Sequence, residues 1–173
     1  GPKGIGALFY NEQISPIMYG GNQEKSIRPG TLAVPLIVGF GKACEIAKQI
    51  INHESKKILE LRNILLDKIL NHYPDTIING DIDKRIPGNL NLSFPRLKGQ
   101  SIVTSISKIA ISSGSACTSS SPKPSHVLSS MGLDKKTSNS SIRIGIGRFN
   151  TKDEILIAAD DIINSIKNKI NAK

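Results

Sequence analysis

Between Ala33 and about Leu70 the apolar positions Ile37, Phe40, Cys44, Ala47, Ile51, Ile58, Leu61, Leu65 and Ile69 recur mostly at intervals of three and four. That is the period of one face of an α-helix. Pro35 suits its first turn and Pro74 lies beyond its end. Such a helix spans about 57 Å at ~1.5 Å per residue, more than the width of a small domain, so it bends or joins two domains. Before it, the apolar run Gly4 to Tyr10 (GIGALFY) reads as a buried strand, and the stretch YGGNQEKSIRPGT, punctuated by glycine and proline, as a loop.

Past Pro74 the pattern shortens. TIING (Thr76 to Gly80) and NLNLSF (Asn89 to Phe94, with Leu90, Leu92 and Phe94 on one face) read as strands. QSIVTSISK suits a helix, IAISS a strand, and SHVLSSMG a short helix stopped by Gly132. SIRIGIG (Ser141 to Gly147) alternates with period two, setting Ile142, Ile144 and Ile146 against Arg143. The last element opens on TKDE, where Thr151 and Glu154 have the spacing of a capping box, and continues with the apolar stripe Ile155, Ala159, Ile162, Ile166 and Ile170. Strands alternating with helices over residues 75–170 predict a small α/β or α+β layer domain.

The 173 residues suffice for one domain or a domain and part of another, and 38% hydrophobic content supports a sizeable core. No apolar run approaches the roughly 18–20 residues of a membrane span, and the opening GPKGIGALFY lacks the regions of a signal peptide, which leads to an expected cytoplasmic location without membrane contact. Gly1 in place of an initiator methionine predicts a chain that begins inside something longer or carries a processed start. The formal charge of +9 comes from basic residues spread along the chain, and 4% aromatics offers little surface for base stacking. Nucleic acid is therefore not an expected partner; a solvated basic surface or an acidic protein is. Cys44 and Cys117, with His53, His72 and His126 scattered, show neither a disulfide framework nor the spacing of a structural metal site.

Five positions carry candidate chemistry. Cys44 falls on the apolar stripe of the long helix and reads as a small core residue. Cys117 sits in SSGSACTSSSPKPSH (Ser112 to His126), whose small side chains neither bury nor fence a thiol, so it is an idle surface cysteine or a nucleophile that moves. Arg143 stands opposite three isoleucines on its strand and either points to water or grips a carboxylate with its planar fork. Arg28 and Thr31, in RPGT just before a helix start, suit either a phosphate or ordinary capping by Thr31.

In order and spacing, GPKGIGALFY, GGNQEKSIRPGTL, NLNLSF, SSGSACTSSSPKPSHVL and SSIRIGIGRFNTKDEI resemble the second half of a cysteine desulfurase of the NifS/IscS family, and the run SSGSACTS resembles its IscS-like group. The resemblance extends from Gly1 nearly to the C-terminus. It implies the C-terminal part of a fold-type I, pyridoxal 5′-phosphate-dependent, aminotransferase-like protein: residues 1–51 as the end of the large cofactor-binding domain and 52–173 as an α+β small domain carrying the cysteine loop. It implies a homodimeric enzyme that takes sulfur from L-cysteine, leaving L-alanine and a persulfide. Cys117 is then the thiolate nucleophile and persulfide carrier, Arg143 the ligand of the substrate α-carboxylate, and Thr31 the residue that reaches the cofactor phosphate of the other subunit. Iron–sulfur scaffold and other sulfur-acceptor proteins are the implied partners, with a transient contact of Cys117 to a nascent [2Fe–2S] cluster.

In that family the Schiff-base lysine lies in a His-Lys motif directly before the Gly-Pro-Lys-Gly that opens this chain. Lys3 matches the lysine after that motif and is not assigned the role, so this chain alone is expected to be inactive. A catalytically inactive fragment or protein-binding module is the competing expectation. Under either, the opening segment and the first half of the long helix should expose an apolar patch, with self-association as its consequence.

Overall fold

The computed structural model describes residues 1–97, 101–106, 108–112 and 125–172. These divide into two compact units, residues 1–52 and 53–173. Helix α1 (Val34–His72, 39 residues) begins in the first unit and ends in the second.

The first unit holds the opening segment, a single turn at Gln23–Ser26 in which Glu24, Lys25 and Ser26 have positive φ, and the start of α1. The strand expected over Gly4 to Tyr10 does not form; the segment has no regular structure, and Leu8 and Phe9 are exposed, Phe9 by 92%. A strand requires a neighbouring strand to take its backbone groups, and among the described residues of this unit there is none. Only Pro29 is buried here. Val34, Ile37, Val38, Ile46 and Ile51 of α1 stand exposed, and so does Cys44, which corrects its reading as a core residue. The helical period is present, but in this unit the opening segment covers its apolar face only in part, beside Phe40 and Ala43.

The second unit is where burial happens. Strands β1 (Ile77–Ile78), β2 (Asn89–Ser93) and β3 (Ser141–Gly145) form an antiparallel sheet in the order β1-β2-β3. Leu90 lies opposite Ile144 and Leu92 opposite Ile142, so the four share one face. That face meets Ile58, Leu61, Leu65 and Ile69 of α1 together with Ile155, Ala159, Ile162 and Ile166 of helix α4 (Lys152–Asn171) in one core. Leu65, Ile69, Leu92, Ile142 and Ile162 are wholly inaccessible. Arg62, on the same stretch of α1, is buried too, and its guanidinium donates to the Ile82 carbonyl at 3.3 Å and to Asn63 Oδ1.

The ends of the elements follow local chemistry. Thr151 Oγ1 accepts from the Glu154 N–H while Glu154 Oε2 accepts from the Thr151 N–H at 3.0 Å, which is the expected capping box. The Thr151 N–H first, and then the Asn150 side-chain amide donating to the same Oε2 at 3.3 Å, hold the Glu154 carboxyl below its ordinary range. Helix α2 (His126–Ser130) stops at Gly132, whose φ of +88° favours glycine. A helix absent from the expectations, α3 (Lys135–Asn139), is capped by Asp134, whose Oδ1 accepts from the Thr137 N–H at 2.6 Å. Among the described residues of QSIVTSISK, the regular structure is a turn at Val103–Ser105 between buried Ile102 and Ile106. Of the described residues of IAISS, 109–112, Ser112 pairs as an isolated bridge to Arg143. No described helix is long and apolar enough to cross a membrane.

Candidate functional site

The face of the sheet turned away from the core is polar, and the register places four side chains in one row across it. Asn91 lies opposite Arg143 in the β2·β3 ladder, and Arg143 lies opposite Ser112 in the isolated bridge. Continuing the β1·β2 register by one residue brings Asn79 opposite Asn91, and the Asn79 N–H donates to the Asn91 carbonyl at 2.9 Å. The row is therefore Asn79, Asn91, Arg143, Ser112.

Its backbone bonds fix which neighbours are closest. The Arg143 N–H donates to the Ser112 carbonyl at 2.7 Å, and the Ser112 N–H donates back to the Arg143 carbonyl at 3.2 Å. Both backbone groups of Arg143 thus point toward Ser112. Arg143 and Asn91 consequently form the narrow, non-hydrogen-bonded kind of pair, with Cα atoms about 4.5 Å apart and side chains at their nearest.

The Asn79 side chain is buried and spends its amide nitrogen on two acceptors, Asn91 Oδ1 at 2.7 Å and Ser93 Oγ at 2.8 Å. Its own Oδ1 is buried with no partner among the described residues. The opposite amide orientation would leave two buried N–H donors stranded in place of one acceptor, and orphaned donors are the rarer case. Asn91 is half-buried and Arg143 exposed. No hydrogen bond or ion pair joins the Arg143 guanidinium to another described residue. An available planar fork on an ordered strand can take a carboxylate through two parallel bonds.

The other expected site residues fall as follows. Cys117 lies outside the described residues, which resume at Ser125; Ser112, the partner of Arg143, stands five residues before it in sequence. Thr31 belongs to the first unit, is exposed, and has no hydrogen bond among the described residues. It does not cap α1, because the carbonyl that receives the first helical bond is that of Ala33, from the Ile37 N–H at 3.0 Å. Arg28 turns one N–H back onto the Pro29 carbonyl at 2.9 Å.

The sequence alone does not distinguish Asn79, Asn91 and Ser112 as site residues. The alternation in NLNLS does put Asn91 on the polar face, as SIRIG does Arg143, but which polar residues meet across strands is set by register.

Comparison with known proteins adds to this geometry. A family model described as aminotransferase class-V matches residues 1–157. Over 171 residues the chain is 48% identical to "Cysteine desulfurase IscS" of Ehrlichia chaffeensis and 42% identical to "Cysteine desulfurase" of Rattus norvegicus, each alignment taking in 96% of this chain. The same alignments cover 42% and 38% of the relatives' own lengths, so the chain spans about two-fifths of each. Among solved structures, a NifS-like protein superposes with a TM-score of 0.72 at 29% identity, covering 90% of this chain and 39% of that one.

Proposed function

The chain belongs to the class-V aminotransferases, and from that premise we propose that it is the substrate-carboxylate and sulfur-accepting part of a pyridoxal phosphate-dependent cysteine desulfurase. The observation that carries the reading is the exposed Arg143 guanidinium, free of protein carboxylates among the described residues and tied through its backbone to Ser112 at the start of the cysteine segment. We assign residues 1–51 to the end of the cofactor domain and 52–173 to the small domain.

In this reading Arg143 binds the α-carboxylate of L-cysteine through its fork and so fixes where the substrate sulfur stands. Cys117 acts as a thiolate. Its sulfur forms a bond to the substrate sulfur, the Cβ–S bond breaks, and the electron pair of that bond passes to carbon, which takes up a proton and leaves as the methyl group of L-alanine. Pyridoxal phosphate, when bound, supplies the electron sink for this cleavage. The exposed, unspent hydroxyl of Thr31 fits a phosphate oxygen, and Thr31 would hold that group from the neighbouring subunit of a homodimer. The small residues around Cys117 allow the sulfur to approach the substrate and afterwards an acceptor, which we take to be an iron–sulfur scaffold or another sulfur-accepting protein of the cytoplasm.

The test is persulfide formation from L-cysteine with added pyridoxal phosphate. The chain is assayed alone, mixed with the N-terminal half of a related desulfurase, and within a full-length polypeptide. We expect L-alanine and a Cys117 persulfide in the second or third arrangement, and loss of the persulfide with Cys117→Ser. Undiminished persulfide in Cys117→Ser removes the nucleophile assignment. A folded chain that associates with its complement yet stays inactive in every arrangement favours a binding module.

A further inference from the structure

We propose that Asn91 is a second ligand of the substrate carboxylate, its side-chain amide donating beside the Arg143 guanidinium. The inference deepens the reading of Arg143 given above and rests on it. Three observations lead there. Asn91 and Arg143 are directly opposite in the ladder and form its narrow kind of pair, so their side chains leave the same face at close range. Asn79 holds Asn91 by its oxygen: the 2.7 Å bond from Asn79 Nδ2 directs Asn91 Oδ1 toward β1. The Asn91 Nδ2, on the other branch of the same planar group, is thereby turned away from β1, toward the side where Arg143 stands. No bond to a described residue uses it.

The chemistry of the pair favours an anion. A guanidinium and an amide NH2 side by side are donors only, and neither can satisfy the other. A carboxylate has about four lone-pair sites; the fork of Arg143 uses two, and an adjacent neutral donor takes another without adding charge. Asn79 serves as a positioning residue because it sets the amide orientation while itself buried. A lysine or arginine at residue 91 would repel Arg143, and an aspartate would neutralise it, which gives asparagine at this position a physical reason.

The experiment measures kcat and KM for L-cysteine, and for L-cysteine methyl ester, in the full-length polypeptide carrying Asn91→Ala, Asn91→Asp or Arg143→Lys. For Asn91→Ala we expect KM for L-cysteine to rise about tenfold with kcat within about twofold, as for one lost hydrogen bond to a charged group, and little change with the ester. Asn91→Asp should raise KM further by closing an internal ion pair with Arg143. If Arg143→Lys raises KM while Asn91→Ala leaves it within about twofold, Asn91 is not a ligand and the role of Arg143 stands. If neither changes KM, the role given to Arg143 fails as well. Equal losses for acid and ester in Asn91→Ala would mean that the residue only supports the sheet, and would overturn the proposal.

Discussion

A methyl group on Gly88 tests how tightly the sheet bearing Arg143 is closed. Gly88 immediately precedes β2 and Ile146 immediately follows β3, three residue pairs along the ladder from the Asn91–Arg143 pair. An added Cβ at Gly88 would overlap the carbonyl oxygen of Ile146 and stand 3.0 Å from Ile58 Cγ2 and 3.1 Å from the Ile146 carbonyl carbon. The main obstacle is backbone, which cannot swing aside as a flexible side chain can. The two segments must separate, and that breaks the 2.8 Å bond from the Ile146 N–H to the Gly88 carbonyl. The lost bond costs about 1 kcal/mol. Overpacking adds roughly 1–3 kcal/mol. The lower entropy of the unfolded chain with alanine returns about 0.5–1 kcal/mol. Gly88→Ala should therefore destabilise by about 2 kcal/mol. At a urea m-value of ~1.5 kcal/mol/M, the midpoint followed by far-ultraviolet circular dichroism falls by roughly 1–1.5 M with m unchanged. A loss below about 0.5 kcal/mol would show that the close approach of Gly88 to Ile146 is not a constraint and would refute the reasoning.

Four further outcomes are expected. Leu65→Ala removes a fully buried side chain from the α1 face of the core and should cost about 2–5 kcal/mol in the same urea assay. Asp134 and Glu154 have carboxyls lowered mainly by backbone hydrogen bonds, from Thr137 and Thr151, so their contribution is present above the unfolded carboxylate range and is lost as pH falls through their folded values; Asp134→Asn and Glu154→Gln should each flatten the acid limb of the stability profile. The Tyr73 hydroxyl, raised chiefly by burial, donates to the Ile163 carbonyl at 3.2 Å; stability linked to it is complete below about pH 10, the ordinary tyrosine value, and declines above it, so Tyr73→Phe should cost about 1 kcal/mol at neutral pH and remove part of the alkaline loss. The uncovered apolar residues of the first unit, Leu8, Phe9, Ile17 and Tyr19 among them, predict self-association and binding of a hydrophobic dye; a clean monomer by light scattering with no dye bound would contradict this.

The sequence was most legible where a single element determines its own pattern. The capping box at Thr151, the period-two alternation through Arg143, the glycine stop at Gly132 and the helical face from Ile58 to Ile69 all appear in the structure. Elements whose stability comes from a neighbour are not legible in this way. Gly4 to Tyr10 has strand composition and no strand beside it, and Cys44 has a core position with no core over it. Helix α3 leaves no periodic signal because KKTSN has no apolar stripe; its start is defined by one aspartate cap. At the site, Arg143 could be found from its isolation among isoleucines. The row through Asn79, Asn91 and Ser112 could not, because a strand's sequence gives the face of each side chain but not its partner on the next strand.

Helix α1 carries two kinds of peptide group within one continuous ladder. From Ile58 to Ile69 its inward side chains are locked in the core, so exposing those amides to solvent requires the whole second unit to open. From Val34 to Ile51 the same hydrogen bonds rest on side chains that are mostly exposed and none of them buried, and a helix with so little tertiary support is marginal in water. Amide hydrogen exchange should therefore change steeply along the helix near Asn52, fast on the N-terminal side and slow beyond it. A polypeptide or partner that covers the first half would reveal itself by slowing exchange there, residue by residue, while leaving the second half as it was.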